Sequence, residues 1–125
     1  MCGIGGMLGH PDSAILRRMN ELQAHRGPDS NDIWMDDDVG FAHARLAILD
    51  LDSSTQPMHG ENGAVLIANG EIYNHELLRS KFRRFAFKTK GDSEAILALH
   101  ATATRHANHM LSAREHAQWI RQLDG

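Results

Sequence analysis

Along the first hundred residues, short apolar runs of strand length alternate with longer stretches whose apolar residues recur at helical spacing, and turn formers separate the two. Such interleaving restricts the chain to an α/β order in which helices pack on sheet. Ile4 to Leu8 is apolar and interrupted by glycines, which suits a buried strand with close backbone neighbours better than a helix. After Pro11, the apolar residues Ile15, Leu16, Met19 and Leu22 fall on one helical face, with Asp12 or Ser13 as the cap. This helix is expected to run to about Gln23. The segment Arg26 to Asp32 is dense in turn formers and must leave the helix, because Pro28 pushes its predecessor away from the α region. Ile33 to Met35 and Val39 to Ala47 read as strands joined across Asp36-Asp37-Asp38, an acidic triplet that suits a solvated hairpin turn better than a calcium or magnesium site.

Ala64 to Ala68 is another strand-length run. Asn69-Gly70 ends it with a dipeptide that tolerates positive φ, which predicts a tight reversal and a return strand starting at Ile72 and Tyr73. Glu76 to Phe85 has helical spacing at Leu77, Leu78, Phe82 and Phe85. A further helix is expected after Gly91, capped by Asp92 or Ser93, with Ile96, Leu97 and Leu99 facing inward. Residues 101 to 118 shift toward alanine and histidine, and the alanines favour helix.

With 125 residues, 42% hydrophobic and 23% charged, the composition fits one soluble globular domain with a modest core. The net charge is -3 and neither sign forms a long block, so the charge pattern points to small metabolites, not to nucleic acid or an anionic membrane surface. No apolar stretch is long enough to span a bilayer and no secretory pattern opens the chain, so a cytoplasmic protein is expected. Cys2 is the only cysteine, which excludes an internal disulfide framework and fits a reducing compartment.

The place of that cysteine carries the first chemical suggestion. Removal of Met1 would leave a thiol and a free α-amine on one residue, so that a nucleophile and its base share a carbon. An α-amino group titrates near about 7.7–8.0, and at neutral pH a useful fraction can accept the thiol proton. By position alone, the plain alternative is a small residue that follows Met1 by chance.

Five segments in order resemble the amino-terminal glutaminase domain of glutamine-hydrolysing asparagine synthetases. They are Met1-Cys2-Gly3-Ile4; Arg26-Gly27-Pro28-Asp29; Arg45-Leu46-Ala47-Ile48-Leu49-Asp50 with Gln56-Pro57-Met58; Asn69-Gly70-Glu71-Ile72-Tyr73-Asn74; and Gly91-Asp92-Ser93-Glu94. Each is weak alone, and their joint order and spacing is specific. The resemblance implies a class II (type 2) glutamine amidotransferase domain over residues 1–125, in the α+β fold of N-terminal nucleophile hydrolases, a four-layer α/β/β/α sandwich that is incomplete here. It also implies that ammonia released from glutamine passes to a separate synthetase domain, which uses ATP and magnesium to convert aspartate to asparagine. That domain is absent from these residues, and the glutaminase step itself implies no cofactor and no metal.

By the same resemblance, Cys2 attacks the side-chain amide carbon of glutamine, giving a tetrahedral adduct and then a glutamyl thioester. The Asn69 side-chain amide and the Gly70 N–H match the oxyanion donors. Arg45 matches the residue that grips the substrate carboxylate, Glu71 and Asp92 match those that accept from its ammonium, and Leu46, Ala47, Ile48 and Leu49 match a segment whose backbone lines the pocket. Arg26 and Asp29 are expected to shape the loop over it. Asn69-Gly70 also has a plain reading as a hairpin turn, and Arg45 and Asp92 as a surface charge or helix cap. Glycine at position 70 is expected to allow close backbone approach and positive φ.

His43 and Asp50 could be read with Cys2 as a nucleophile-base-carboxylate triad. The α-amine makes that unnecessary, and the family carries a histidine at the position of His43 without using it as base. His100, His106, His109 and His116 lie in the carboxy-terminal stretch, where zinc would need further ligands of defined geometry that the sequence does not supply. The stretch from Ala101 to Gln122 departs from the family pattern, and strands of both sheets are expected to be missing. The remaining sheet should then expose unpaired edges and an apolar face. The whole parent enzyme is therefore expected to hydrolyse glutamine and the isolated 125 residues to do so poorly. Another amidotransferase with a different ammonia acceptor, a non-catalytic glutamine-binding module and a histidine-based metal protein remain open, as does assembly into a homo-oligomer.

Overall fold

The computed structural model describes residues 1–47, 54–105, 107 and 110–125. The expectations for Ile48, Leu49, Asp50, His106 and His109 lie outside the described residues. The architecture is mixed α+β, with two antiparallel sheets and helices packed on them.

The first sheet has the order β1-β3-β2, formed by Gly3–Leu8, Val39–Arg45 and Ser30–Met35. Asp36 makes the β2–β3 turn, its carboxylate accepting from the N–H groups of Asp38 and Val39 at 2.9 and 2.7 Å. Helix α1 (Ser13–Gln23) starts at Asp12, whose Oδ1 accepts from Ala14 and Ile15. It lies over a face whose β1 and β3 positions are all glycine or alanine except Met7. The register pairs Gly3 with Ala44, Gly5 with Ala42 and Met7 with Gly40. A side chain at Gly40 would collide with Leu16 and Pro11, so the glycine is what allows the helix so close.

Only part of the expected helical face is inward. Leu16 is fully buried and Asn20 donates to the Asp32 carbonyl, but Ile15 and Leu22 are 48% and 61% exposed. Spacing identified the face correctly as helical, yet the sheet beneath is too narrow to cover all of it. The opposite sheet face carries Ile4, Leu8, Trp34, Phe41 and His43. Residues near Ala68 cover its His43 end, while Leu8 at the other end is 85% exposed. The expectation of an open apolar face and unpaired edges therefore holds among the described residues.

The second sheet is a short pair, β4 (Met58–His59) with β5 (Val65–Leu66), closed by one 3-10 turn at Glu61–Gly63. Here three expectations fail. The apolar run Ala64 to Ala68 yields only two strand residues, and no return strand forms at Ile72 and Tyr73. The Ile72 and Tyr73 amides instead donate to the Asp92 carboxylate and the Asp124 carbonyl, each at 2.7 Å, which leaves them unavailable for a ladder. Positive φ occurs at Gly9 and Gly63 and not at Gly70.

Helix α2 (His75–Lys81) is shorter than expected, ending before Phe82 and Phe85. Helix α3 (Glu94–Thr104) follows Ser93, and neither Asp92 nor Ser93 caps it through a side chain, because the Asp92 carboxylate is turned to Ile72. Helix α4 (Ala113–Ile120) begins with a capping box between Ser112 and Glu115. Helix α3 is the centre of this half. Met58, Phe85, Leu97, Ala98 and Ala101 form one buried cluster, and Ile72, Leu78, Ala95 and Leu99 form another, with Phe82 packed against both.

Candidate active site

The β1–β3 register brings Cys2 to the carboxy-terminal end of β3. Because Gly3 pairs with Ala44, the residue before Gly3 falls beside Arg45 and Leu46. The Leu46 N–H donates to the Cys2 Sγ at 3.4 Å, and the thiol faces the Leu46 carbonyl at 3.7 Å. The Arg26 Nε donates to the Cys2 carbonyl at 3.1 Å, holding the strand end where the ladder stops. Asp29 fastens the other side of the same corner: its N–H donates to the Arg45 carbonyl, and its Oδ2 accepts from the Ala47 N–H at 2.7 Å. Arg26 and Asp29 thus hold the backbone around the cysteine.

A cavity of about 390 Å³ opens at this corner. Its wall includes Cys2, Arg45 and Leu46 from the sheet side and Asn69, Gly70, Glu71 and Asp92 from the other half. Arg45 is only 7% exposed, whereas Asn69, Gly70 and Glu71 are exposed at the rim. Nothing lies within 4 Å of where a Gly70 Cβ would stand, so close protein packing does not explain that glycine. Ala47 is turned to Asp29 and is not part of the wall.

Asp92 offers a divided carboxylate. Its Oδ2 accepts from Ile72, while its Oδ1 has no protein donor among the described residues. The loop that carries it is tied to the start of α3, where the buried Glu94 carboxylate accepts from the N–H groups of Lys88 and Thr89, both at 2.8 Å, and from the Thr89 hydroxyl at 2.7 Å. Arg79 adds a bond from its Nη2 to the Gly91 carbonyl and lies 4.3 Å over the Phe87 ring.

His43 is fully buried on the sheet face near the cavity, with its Nε2 3.3 Å from the Ala68 carbonyl oxygen. Burial, with a smaller contribution from the Arg45 charge, holds its pKa below the ordinary imidazole value, against opposing pulls from the Ala68 carbonyl and Asp32. The ring therefore serves as a neutral hydrogen-bonding group toward Ala68. In the carboxy-terminal stretch, His100 and His116 stack at 6.5 Å, and Trp119 Nε1 donates to His116 Nδ1 at 3.2 Å. Burial, and then the His116 charge, lower the pKa of His100. Among the described residues no three metal-ligating side chains are grouped to hold an ion.

Sequence reasoning left out part of the wall. Ser54, Gln56, Tyr73 and Ser93 also line the cavity, as does Gly125, which packs beneath Glu71. Gln56 stood in one of the quoted segments, but no local pattern indicated that its side chain would reach Ala68.

Comparison with known proteins assigns the chain to a family. The family model described as a glutamine amidotransferase domain matches residues 1–113. The chain belongs to that family. It is 40% identical over 107 residues to asparagine synthetase B [glutamine-hydrolyzing] of Escherichia coli (strain K12), covering 80% of this chain and 19% of that protein. It is 40% identical over 108 residues to asparagine synthetase [glutamine-hydrolyzing] 2 of Bacillus subtilis (strain 168), covering 80% and 14%, and 39% identical over 106 residues to asparagine synthetase [glutamine-hydrolyzing] 1 of Arabidopsis thaliana, covering 80% and 18%. The chain thus spans roughly a fifth or less of the length of these curated relatives. No helix among the described residues is long and apolar enough to cross a membrane.

Proposed function

We propose that this chain is the glutaminase portion of a cytoplasmic glutamine-dependent asparagine synthetase, and that Cys2 hydrolyses glutamine to glutamate and ammonia once Met1 has been removed. The observation that carries this reading is one cavity bordered at once by the Cys2 corner, Arg45, the Asn69-Gly70-Glu71 span and Asp92. Glutamine has two charges at one end and a neutral amide at the other, and a selective site must answer all three. Arg45 is suited to the carboxylate, since its planar fork can engage two oxygens. Glu71 and the Oδ1 of Asp92 supply the opposite charge for the ammonium.

At the amide end, the Cys2 α-amine takes the thiol proton and the sulfur bonds to the amide carbon. Negative charge then develops on the former amide oxygen, and the Asn69 side-chain amide and Gly70 N–H serve as its donors. One such donor is worth about 3 kcal/mol in the transition state. The carbon–nitrogen bond breaks as the leaving nitrogen collects the proton from the α-amine, giving ammonia and a glutamyl thioester. Water then cleaves the thioester and restores the thiol. Leu46 fixes the sulfur through its N–H.

In the longer protein, further strands would complete the four-layer α/β/β/α sandwich of N-terminal nucleophile hydrolases. A synthetase domain with ATP and magnesium would pass the ammonia to aspartate. The open sheet face leaves the 125 residues a slow glutaminase by themselves, because catalysis needs the pocket held within a fraction of an ångström. The test is covalent. Diazo-oxo-norleucine, a glutamine-shaped electrophile, should add once to the protein lacking Met1, and Cys2→Ala should abolish the adduct while melting at the same temperature. Adduct formation in Cys2→Ala, or none in the wild type, would refute the assignment.

A further inference from the structure

The cavity face that meets the substrate in this reading is slung between two anchored ends. Upstream of Asn69, the Ala68 N–H donates to the Gln56 Oε1 at 2.6 Å, and the Ala68 carbonyl faces His43. Downstream of Glu71, the Ile72 N–H goes to Asp92 and the Tyr73 N–H to the Asp124 carbonyl. Asn74 doubles the second anchor. Its Nδ2 donates to the Gln122 carbonyl at 2.8 Å and its Oδ1 accepts from the Asp124 N–H at 3.2 Å, so one carboxamide bridges two backbone groups of the chain's last turn. Lys81 in turn donates to the Gln122 side chain at 2.7 Å. Between the anchors, Asn69, Gly70 and Glu71 belong to no strand or helix.

We infer that Gln56 and Asn74 are positioning residues that hold the Asn69-Gly70-Glu71 span at working distance from Cys2. Neither needs to touch glutamine. A free three-residue span would place its donors over a range of positions, and an error of about 1 Å costs on the order of a hundredfold in rate. Gln56 is buried and borders the main cavity, where its oxygen gives Ala68 the partner a strand neighbour would otherwise supply. Asn74 alone among its neighbours both donates to and accepts from the Gln122–Asp124 backbone. The inference rests on the glutaminase reading, and its test separates the two.

Gln56→Met keeps the length of the side chain without its acceptor, Gln56→Glu restores an acceptor, and Asn74→Ala removes the second bridge. Each is compared with the wild type in the rate of Cys2 modification by diazo-oxo-norleucine and by iodoacetamide, which has no glutamine ends to grip. Gln56→Met and Asn74→Ala should slow the first reagent by about tenfold or more, with the second within about twofold and Gln56→Glu recovering most of the loss. Backbone NMR order parameters at Gly70 and Glu71 should fall from roughly 0.8 to below about 0.6 in both variants. Parallel slowing of both reagents, an unchanged first rate, or failure of Gln56→Glu to recover would overturn the inference. If Gln56→Met does not fold, Asn74→Ala, altered at a half-buried position, decides it. If the wild type never reacts with the glutamine-shaped reagent, the glutaminase reading fails, and the order parameters alone decide whether the two side chains hold the span.

Discussion

In the amino-terminal region, Cys2 and Arg45 take their places from a strand ladder whose register runs unbroken from Gly3–Ala44 to Leu8–Val39. In the carboxy-terminal region, the Asn69-to-Glu71 span and Asp92 are placed by side chains that capture single backbone groups, with strands of only two residues nearby. The difference separates two demands on such a site. A ladder distributes position over many bonds, so the thiol corner tolerates the loss of one. The opposite wall depends on individual carboxylates and carboxamides, and its larger apolar clusters around α3 supply bulk without fixing the rim.

The largest effect is expected where the ladder meets the Arg26–Asp29 corner. A Cβ at Gly27 would collide with the backbone of Ala44 and Arg45, which cannot move without breaking strand pairing. Gly27→Ala should therefore lower unfolding free energy by about 3 kcal/mol or more, measured by urea titration. A loss under about 1 kcal/mol would show that the ladder yields more easily than its bonding suggests. In the other region, Glu94→Ala strips the acceptor from Lys88 and Thr89 and should cost about 2 kcal/mol. Amide exchange should speed up across residues 88–92 before it does in β1, and simultaneous loss in both places would erase the contrast between the regions.

The smallest effect uses one histidine from each region. His43 and His100 both have pKa values lowered in the folded protein, so below about pH 6.5 the unfolded chain binds more protons than the folded one. Stability should thus be full above that pH and fall as pH drops through it. Melting temperatures followed from about pH 8 to 5 should decline on the acid side, and His43→Gln or His100→Gln should each flatten part of the decline. A rise in stability toward acid pH would contradict both placements.

What could be read from the sequence follows the same division. Strands β1, β2 and β3 and helix α1 were legible because their signals are local: an apolar run interrupted by glycines, the Asp12 cap, and the acidic turn at Asp36. Asn69-Gly70 misled because the dipeptide is equally at home in a hairpin. The choice was made by Asp92 and Asp124, twenty and more than fifty residues away. Ile15 and Leu22 show that spacing marks a helical face without saying what covers it. The wall residues Cys2, Arg45, Leu46, Asn69, Gly70, Glu71 and Asp92 were found through ordered motifs, whereas Gln56 and Asn74 lacked any pattern for their partners across the fold.

Strand β1 has one more consequence. Among the described residues it forms a margin of the three-stranded sheet, and Gly3–Leu8 contains neither a charge nor a proline. Exposed margins of that kind are templates for any extended polypeptide they meet. Handling this protein at high concentration is therefore a problem of colloidal chemistry at six residues, and a lysine placed at Leu8, already in solvent, would be the first remedy to try.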